Sequence, residues 1–306
     1  MRHFLRDDDL TQVEQKAILD LADAMKKDRY GFDALAGPQT VAVLFDKAST
    51  RTRVSFALGI TELGGYPLIM DSQGTQIGRG ESVADTARFM SRVTSAIVWR
   101  TFAQSGLEEM AANSSVPVVN ALSDDFHPCQ ILADWQTVRE HHGALAGVKV
   151  AYVGDGANNM AQSYMIGGVT AGMHVTIGSP ADYRPKSEFV ARANEIAATT
   201  GGSISFSDSA HDAAAGADVV ITDTWVSMGD EDEKEKRIKI FSEYSLTKDV
   251  LAKANKDAIV MHCLPAYRGL EIAADVIDGP RSVVWQEAEN RLHAQKALLS
   301  WLVKGK

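Results

Sequence analysis

Residues 40–53 read Thr-Val-Ala-Val-Leu-Phe-Asp-Lys-Ala-Ser-Thr-Arg-Thr-Arg: a short, partly β-branched apolar run, then a segment rich in hydroxyls and arginines. The run 40–45 predicts a buried strand. The segment after it predicts a helix, with Phe56, Ile60 and Leu63 on one face and Gly64-Gly65 as its stop. Ser49 stands where a helix cap is expected, ahead of first-turn N–H groups that point outward. Such a helix start attracts an anion through its N–H groups and dipole. Hydroxyls of Ser49, Thr50 and Thr52 add donors, and Arg51 can grip a phosphate with two hydrogen bonds. The alternative is an ordinary serine cap with solvent-facing arginines. Two arginines in a first turn, Arg51 and Arg53, oppose the helix dipole, and a bound anion would remove that conflict.

Outward from this stretch the pattern alternates. Helix is predicted over 7–27, 82–92 and 107–112, and strand over 66–70, 96–99 and 116–120. A long helix over 131–142 ends at Gly143, and the alternation restarts. Strands are predicted at 148–153, 174–177, 219–222 and 259–262, with helices at 160–171, 188–199 and 289–303. This is an α/β chain with mostly parallel sheets flanked by helices. Its 306 residues suggest two domains, with a boundary near 131–142.

Composition narrows the function classes. Hydrophobic residues make up 45% and charged residues 23%, enough apolar surface to exclude disorder for the bulk of the chain. A net charge of −9 repels polyanions on average, which argues against a nucleic-acid or membrane-surface binder but not against a small anion in a local basic pocket. The two cysteines, Cys129 and Cys263, cannot make a disulfide framework, so a reducing, cytoplasmic setting is expected. The first ten residues lack the apolar run of a signal peptide, and no stretch approaches ~18 apolar residues, so no membrane span is expected.

Further motifs sit at predicted strand ends, where parallel sheets bind ligands. Arg100 follows the strand 96–99, and His127-Pro128-Cys129-Gln130 precedes the long helix. His127 can donate to a carbonyl oxygen, beside the Gln130 amide. Gly154-Asp155-Gly156-Ala157-Asn158-Asn159 is similar to the start of a dinucleotide fingerprint, but Asn159 replaces the third glycine and no acidic residue ends the next strand. The two amides suit a carboxylate or an amine instead. Asp223, followed by Ser227 and Met228, offers a partner for an ammonium; a strand-end Asp capping a turn is the alternative. His262-Cys263-Leu264-Pro265 and Arg291 complete the set, with Arg291 read at the start of the last helix. The His/Cys pairs at 127–129 and 262–263 lack compact zinc spacing, so no metal is expected. The charge run 230–237 reads as a solvated segment or, more sharply, as a mobile lid.

Together, 49–53, 99–101, 127–130, Asp223 with 227–229, and 262–265 resemble the aspartate/ornithine carbamoyltransferase family, in order and over essentially the whole chain. The last two motifs resemble its ornithine-specific branch. The resemblance implies a carbamoyl phosphate-binding domain over 1–141, completed by a C-terminal helix over 286–306 that returns to it, and an ornithine-binding domain over 142–285. It implies carbamoyl transfer from carbamoyl phosphate to the δ-amine of L-ornithine, giving L-citrulline and phosphate in arginine biosynthesis, without metal or cofactor. An acylated ornithine or putrescine is the alternative acceptor. By matching positions, carbamoyl phosphate falls to Ser49, Thr50, Arg51, Thr52, Gln76, Arg100, His127, Pro128, Cys129, Gln130, Cys263, Leu264 and Arg291, with Cys263 and Leu264 acting mainly through backbone groups. Ornithine falls to Asn159, Asp223, Ser227 and Met228. Arg51, Arg100, His127, Asp223 and Cys263 are the implied catalytic residues, with Thr52, Arg100 and His127 facing the developing oxyanion. The family's homotrimer with shared active sites is implied as well, Gln76 matching a residue that reaches the neighbouring subunit's carbamoyl phosphate.

Overall fold

The computed structural model describes residues 1–71, 77, 80–226 and 231–305; the predicted site residues Gln76, Ser227 and Met228 lie outside them. The chain divides into two compact units, Met1–Gln136 with Glu289–Lys306, and Thr137–Ala288.

The first unit contains α1 (Gln12–Lys27), β1 (Thr40–Phe45), α2 (Thr50–Glu62), β2 (Tyr66–Asp71), α3 (Val83–Val93), β3 (Ala96–Arg100), α4 (Gln104–Asn113), β4 (Val118–Leu122) and the start of α5 (Pro128–His142). Its four strands pair in parallel in the order β2-β1-β3-β4. β3 is buried along its whole length and β1 from its second residue on, as continuous apolar strands covered on both faces must be. Ala42, Leu44, Met90, Ile97, Trp99 and Leu107 pack one core of this unit. The register Phe45↔Arg100 sets the two strand ends side by side, so the segments leading to α2 and α4 leave from one edge.

The second unit contains β5 (Lys149–Val153), α6 (Asn159–Thr170), β6 (His174–Gly178), α7 (Ser187–Thr200), β7 (Ser203–Ser207), α8 (Ala210–Ala214), β8 (Val219–Ile221), α9 (Lys234–Phe241), α10 (Lys248–Leu251), β9 (Ile259–Met261), α11 (Ala274–Ile277) and the start of α12 (Val284–Lys304). Five parallel strands run in the order β7-β6-β5-β8-β9. The order reverses at β5, so the loops after β5 and β8 frame the sheet's switch point, the usual ligand position.

Several elements differ from the sequence expectation. The helix predicted over 7–27 is a 3₁₀ turn, Asp7–Asp9, followed by α1, because Thr11 caps α1 reciprocally with Glu14. The helix predicted from 131 begins at Pro128, a residue preorganised for a first helical position, so Cys129 and Gln130 lie in its first turn. α12 begins at Val284, which puts Arg291 in the third turn rather than at the start. β7 and α8 were not expected. No described helix is long and apolar enough to cross a membrane.

The C-terminal stretch of α12 fastens to the first unit's helices. Lys26 Nζ donates to Asn290 Oδ1 at 2.7 Å, and Lys296 Nζ reaches Glu62 Oε2 at 2.8 Å. A Cβ on Gly59 would stand 3.0 Å from Lys296 Cγ, so this glycine permits the close approach of α2 and α12.

Candidate active site

In the first unit, Ser49 caps α2 by accepting from the Thr52 N–H at 3.2 Å. The two arginines of this turn differ. Arg53 pairs with Asp71 and lies over the Phe45 ring, whereas Arg51 has no such partner among the described residues. A cavity of about 580 Å³ opens beside Ser49 and Thr50 and is lined also by Lys47, Arg53 and Asp71. Lys47 pairs with Asp124, and its ammonium sits 4.4 Å from the centre of the Phe102 ring. One lysine thus joins the segments after β1, β3 and β4.

Arg291 makes the strongest link. Its Nη2 donates to Thr52 Oγ1 at 2.6 Å and its Nη1 to Gln130 Oε1 at 2.7 Å. Gln130 passes this on through Nε2 to Asp134 Oδ1 at 2.8 Å. A single guanidinium therefore orients one hydroxyl from α2 and one amide from α5. Arg100 and His127 are both buried. Burial, then the cations of Arg291 and Arg100, hold the His127 imidazole well below its ordinary value, so it is neutral at pH 7. Cys129 is fully buried, donates to the Asn120 carbonyl at 3.3 Å, and has its pKa pushed up by burial to about 12. Its thiol is inert, so any contact of Cys129 with a ligand would have to come from its backbone.

In the second unit, Asp223 ends the β8 segment and Cys263 follows β9; Cys263 Sγ donates to Asp223 Oδ1 at 3.2 Å. Burial raises the Asp223 carboxyl above its ordinary value, against the pull of His262 and of the bond from Cys263. His262 is buried. Its Nδ1 accepts from the Leu264 N–H at 2.9 Å, which leaves the proton on Nε2, 3.2 Å from Glu271 Oε1. Its own N–H donates to Glu287 Oε2 at 2.9 Å. Leu264 has φ of +60°, a left-handed conformation unfavourable for a branched side chain, and the His262 ring holds its N–H there.

Ligand atoms of Asp223, His262 and Cys263 lie within 4.8 Å of one another. Both nitrogens of His262 are already engaged, so the cluster offers a metal only one carboxylate and one thiol, short of a closed zinc set. Asn159 opens α6, and Asn158 caps it, accepting from the Ala161 N–H at 2.8 Å while donating to the Tyr152 hydroxyl at 2.9 Å.

Sequence reasoning missed three supporting residues: Lys47, Glu271 and Arg237. Arg237 lies in the charge run 230–237, yet it is buried, with 7% of its surface exposed. The signal available was Phe241, one helical turn on and also buried.

Two family models cover the chain: "Aspartate/ornithine carbamoyltransferase, carbamoyl-P binding domain" at residues 2–140, and "Aspartate/ornithine carbamoyltransferase, Asp/Orn binding domain" at 146–302. Ornithine carbamoyltransferase of Clavibacter sepedonicus is 62% identical, with 99% of each chain covered. That of Leifsonia xyli subsp. xyli is also 62% identical, over 99% of this chain and 97% of its own. Among solved structures, ornithine carbamoyltransferase from Pyrococcus furiosus superposes with a TM-score of 0.95 at 45% identity, over 100% of this chain and 98% of its own. The anabolic ornithine carbamoyltransferase of Campylobacter jejuni gives 0.94 at 39% identity, over the whole of both chains. With both halves matched in order and the relatives matched over their full length, the chain belongs to the aspartate/ornithine carbamoyltransferase family, on its ornithine branch.

Proposed function

We propose that the chain transfers the carbamoyl group of carbamoyl phosphate to the δ-amine of L-ornithine, giving L-citrulline and phosphate in the direction of arginine synthesis. The observation that carries the choice of acceptor is the Asp223–Cys263 contact. A buried carboxylate beside a thiol suits a cationic amine, whereas an aspartate acceptor would demand a cation there. The anion-binding groups Ser49, Thr50, Arg51, Thr52, Arg100, His127, Gln130 and Arg291 all belong to the first unit. On this reading residues 1–141 with 286–306 hold carbamoyl phosphate, with Cys263 and Leu264 of 142–285 contributing backbone groups to it, and 142–285 hold ornithine through Asn159, Asp223, Ser227 and Met228.

The chemistry follows from the groups. The ammonium of ornithine must lose a proton before it attacks, and the raised pKa of Asp223 makes it a better acceptor for that proton than an ordinary carboxylate. The nitrogen then bonds to the carbonyl carbon, and the carbonyl oxygen gains charge. Thr52, Arg100 and the neutral N–H of His127 are the donors for that oxygen. Collapse breaks the bond to the phosphate oxygen, the departing phosphate takes the remaining extra proton from the attacking nitrogen to leave as the hydrogen phosphate dianion, and the helix start with Arg51 receives it. The assay is citrulline formation from carbamoyl phosphate and ornithine, with N-acetylornithine and putrescine as competitors. Citrulline from ornithine at the highest kcat/KM is expected; carbamoylation of another amine in its place would overturn the assignment.

The same reading includes a homotrimer with shared sites and a cytoplasmic setting. In support of assembly, Val54 and Leu58 on α2, Phe89 and Val93 on α3, and Tyr66 on the edge strand β2 are apolar and exposed. Both cysteines are free thiols, in keeping with a reducing compartment. Sedimentation at three times the 33.1 kDa chain mass checks the trimer.

A further inference from the structure

The segment Gly154-Asp155-Gly156 is similar in sequence to a phosphate-binding turn, yet its glycines are closely approached by the protein itself. A Cβ on Gly154 would stand 3.3 Å from Trp225 Nε1, and one on Gly156 would stand 2.5 Å from Ser179 Oγ and 2.6 Å from the Tyr183 carbonyl oxygen. The glycines let the backbone pass between neighbours of its own unit. They deliver Asp155, which is 4% exposed, to a buried cation.

That cation is Arg237 on α9. Its Nη2 donates to Asp155 Oδ2 and its Nε to the Trp225 carbonyl. The rings of Tyr183 and Phe241 lie 5.8 and 5.4 Å from the guanidinium carbon. Glu233 Oε2 comes within 3.7 Å, but that carboxylate is half-exposed and screened. The second Asp155 oxygen accepts from the Ala157 N–H at 2.9 Å. One guanidinium thus ties the loop after β5 to the segment after β8. Thr222 Oγ1, donating to the Val153 carbonyl at 2.7 Å, ties the same two strand ends from below.

These two loops carry Asn159 and Asp223. We infer that Arg237 and Asp155 form a positioning pair for the amine substrate: their contact sets the spacing of Asn159 and Asp223, and with it the affinity for ornithine. This rests on the ornithine reading above. Neither residue is placed against substrate. A lysine at 237 keeps the charge but not the fork that reaches a carboxylate and a carbonyl together.

The test uses full-length Arg237→Met, Arg237→Lys, Asp155→Asn and the double variant Arg237→Met/Asp155→Asn. Citrulline kinetics are combined with hydrogen exchange at 155–159 and 222–226. Arg237→Met and Asp155→Asn should each raise KM for ornithine by about tenfold or more. KM for carbamoyl phosphate should stay within about twofold, and Arg237→Lys should recover part of the loss. The double variant should be no worse than the worse single, because both remove one interaction. Exchange should quicken in the two segments and not in β1–β4. Equal rises in both KM values, an unchanged KM for ornithine, or loosening throughout the chain would overturn the inference. If Arg237→Met does not fold, Arg237→Lys decides on the same criteria. If the wild-type chain makes no citrulline, the ornithine reading fails by itself, and the exchange comparison still judges the pair: loosening confined to the two segments supports it, and unchanged exchange overturns it.

Discussion

Arg51 and Arg53 are two residues apart, and their surroundings assign them different work. Arg53 is held by Asp71 and the Phe45 ring, while Arg51 has no such partner among the described residues. Arg51→Ala should lower kcat/KM for carbamoyl phosphate by about 10²–10³-fold, the scale of losing a charge-stabilising donor. Arg53→Ala should cost less than about tenfold, as expected for a largely exposed ion pair. Steady-state kinetics on the two variants measures the contrast. His127 makes a prediction about pH. Its folded pKa lies below the ordinary value of 6.5, through burial and then through Arg291 and Arg100. Its contribution to stability is therefore complete above 6.5 and drains away as pH falls toward the folded value, because the unfolded chain takes up the proton first. His293, buried among Lys26, Lys296 and Arg29, acts in the same direction. Thermal melts should show stability falling below about pH 6.5, with a shallower slope in His127→Asn.

Among elements, α12 has the most demanding task, since it carries Arg291 to Thr52 and Gln130. Its anchor further along is Lys296, fully buried, which donates to Glu62 and to the Arg29 carbonyl. Glu62 keeps Arg29 as a second partner, so Lys296→Met should cost about 2 kcal/mol rather than the full penalty of an orphaned buried charge. Denaturant titration gives the value. The elements also show what sequence can carry. β1, β3 and β5 were readable because buried parallel strands spell nearly continuous apolar runs. β7 was not, because Ser203, Ser205 and Ser207 alternate with Ile204 and Phe206 on a half-exposed edge strand. α9 was concealed in a run of alternating charges, whose only burial signals are Arg237 and Phe241. The site divides in the same way. Residues at strand ends announce themselves by position, as Arg100, His127, Asp223 and Cys263 do. Residues that act through distant partners do not: Asp155 and Arg237 are 82 positions apart, and either one alone reads as an ordinary surface charge.

For the whole molecule, the proposed shared site makes a prediction that a self-contained site would not. Arg51→Ala and Gln76→Ala should each be inactive or nearly so, yet mixed and reassembled trimers should regain activity. Random assembly around a three-fold ring restores about one quarter of the sites. Activity that stays at the level of the single variants would argue for sites contained within one chain. The two thiols carry a consequence of another kind. Cys129 is sealed in the core, and with a pKa of about 12 it is almost wholly protonated at pH 8. Cys263 is partly exposed and faces Asp223. Toward an alkylating reagent the folded chain should therefore take up one label and the unfolded chain two. Because Cys263 is itself placed at the proposed ornithine site, its alkylation should abolish citrulline formation, and saturating ornithine should slow the alkylation, so the rate at which one thiol is lost reads out occupancy of that site.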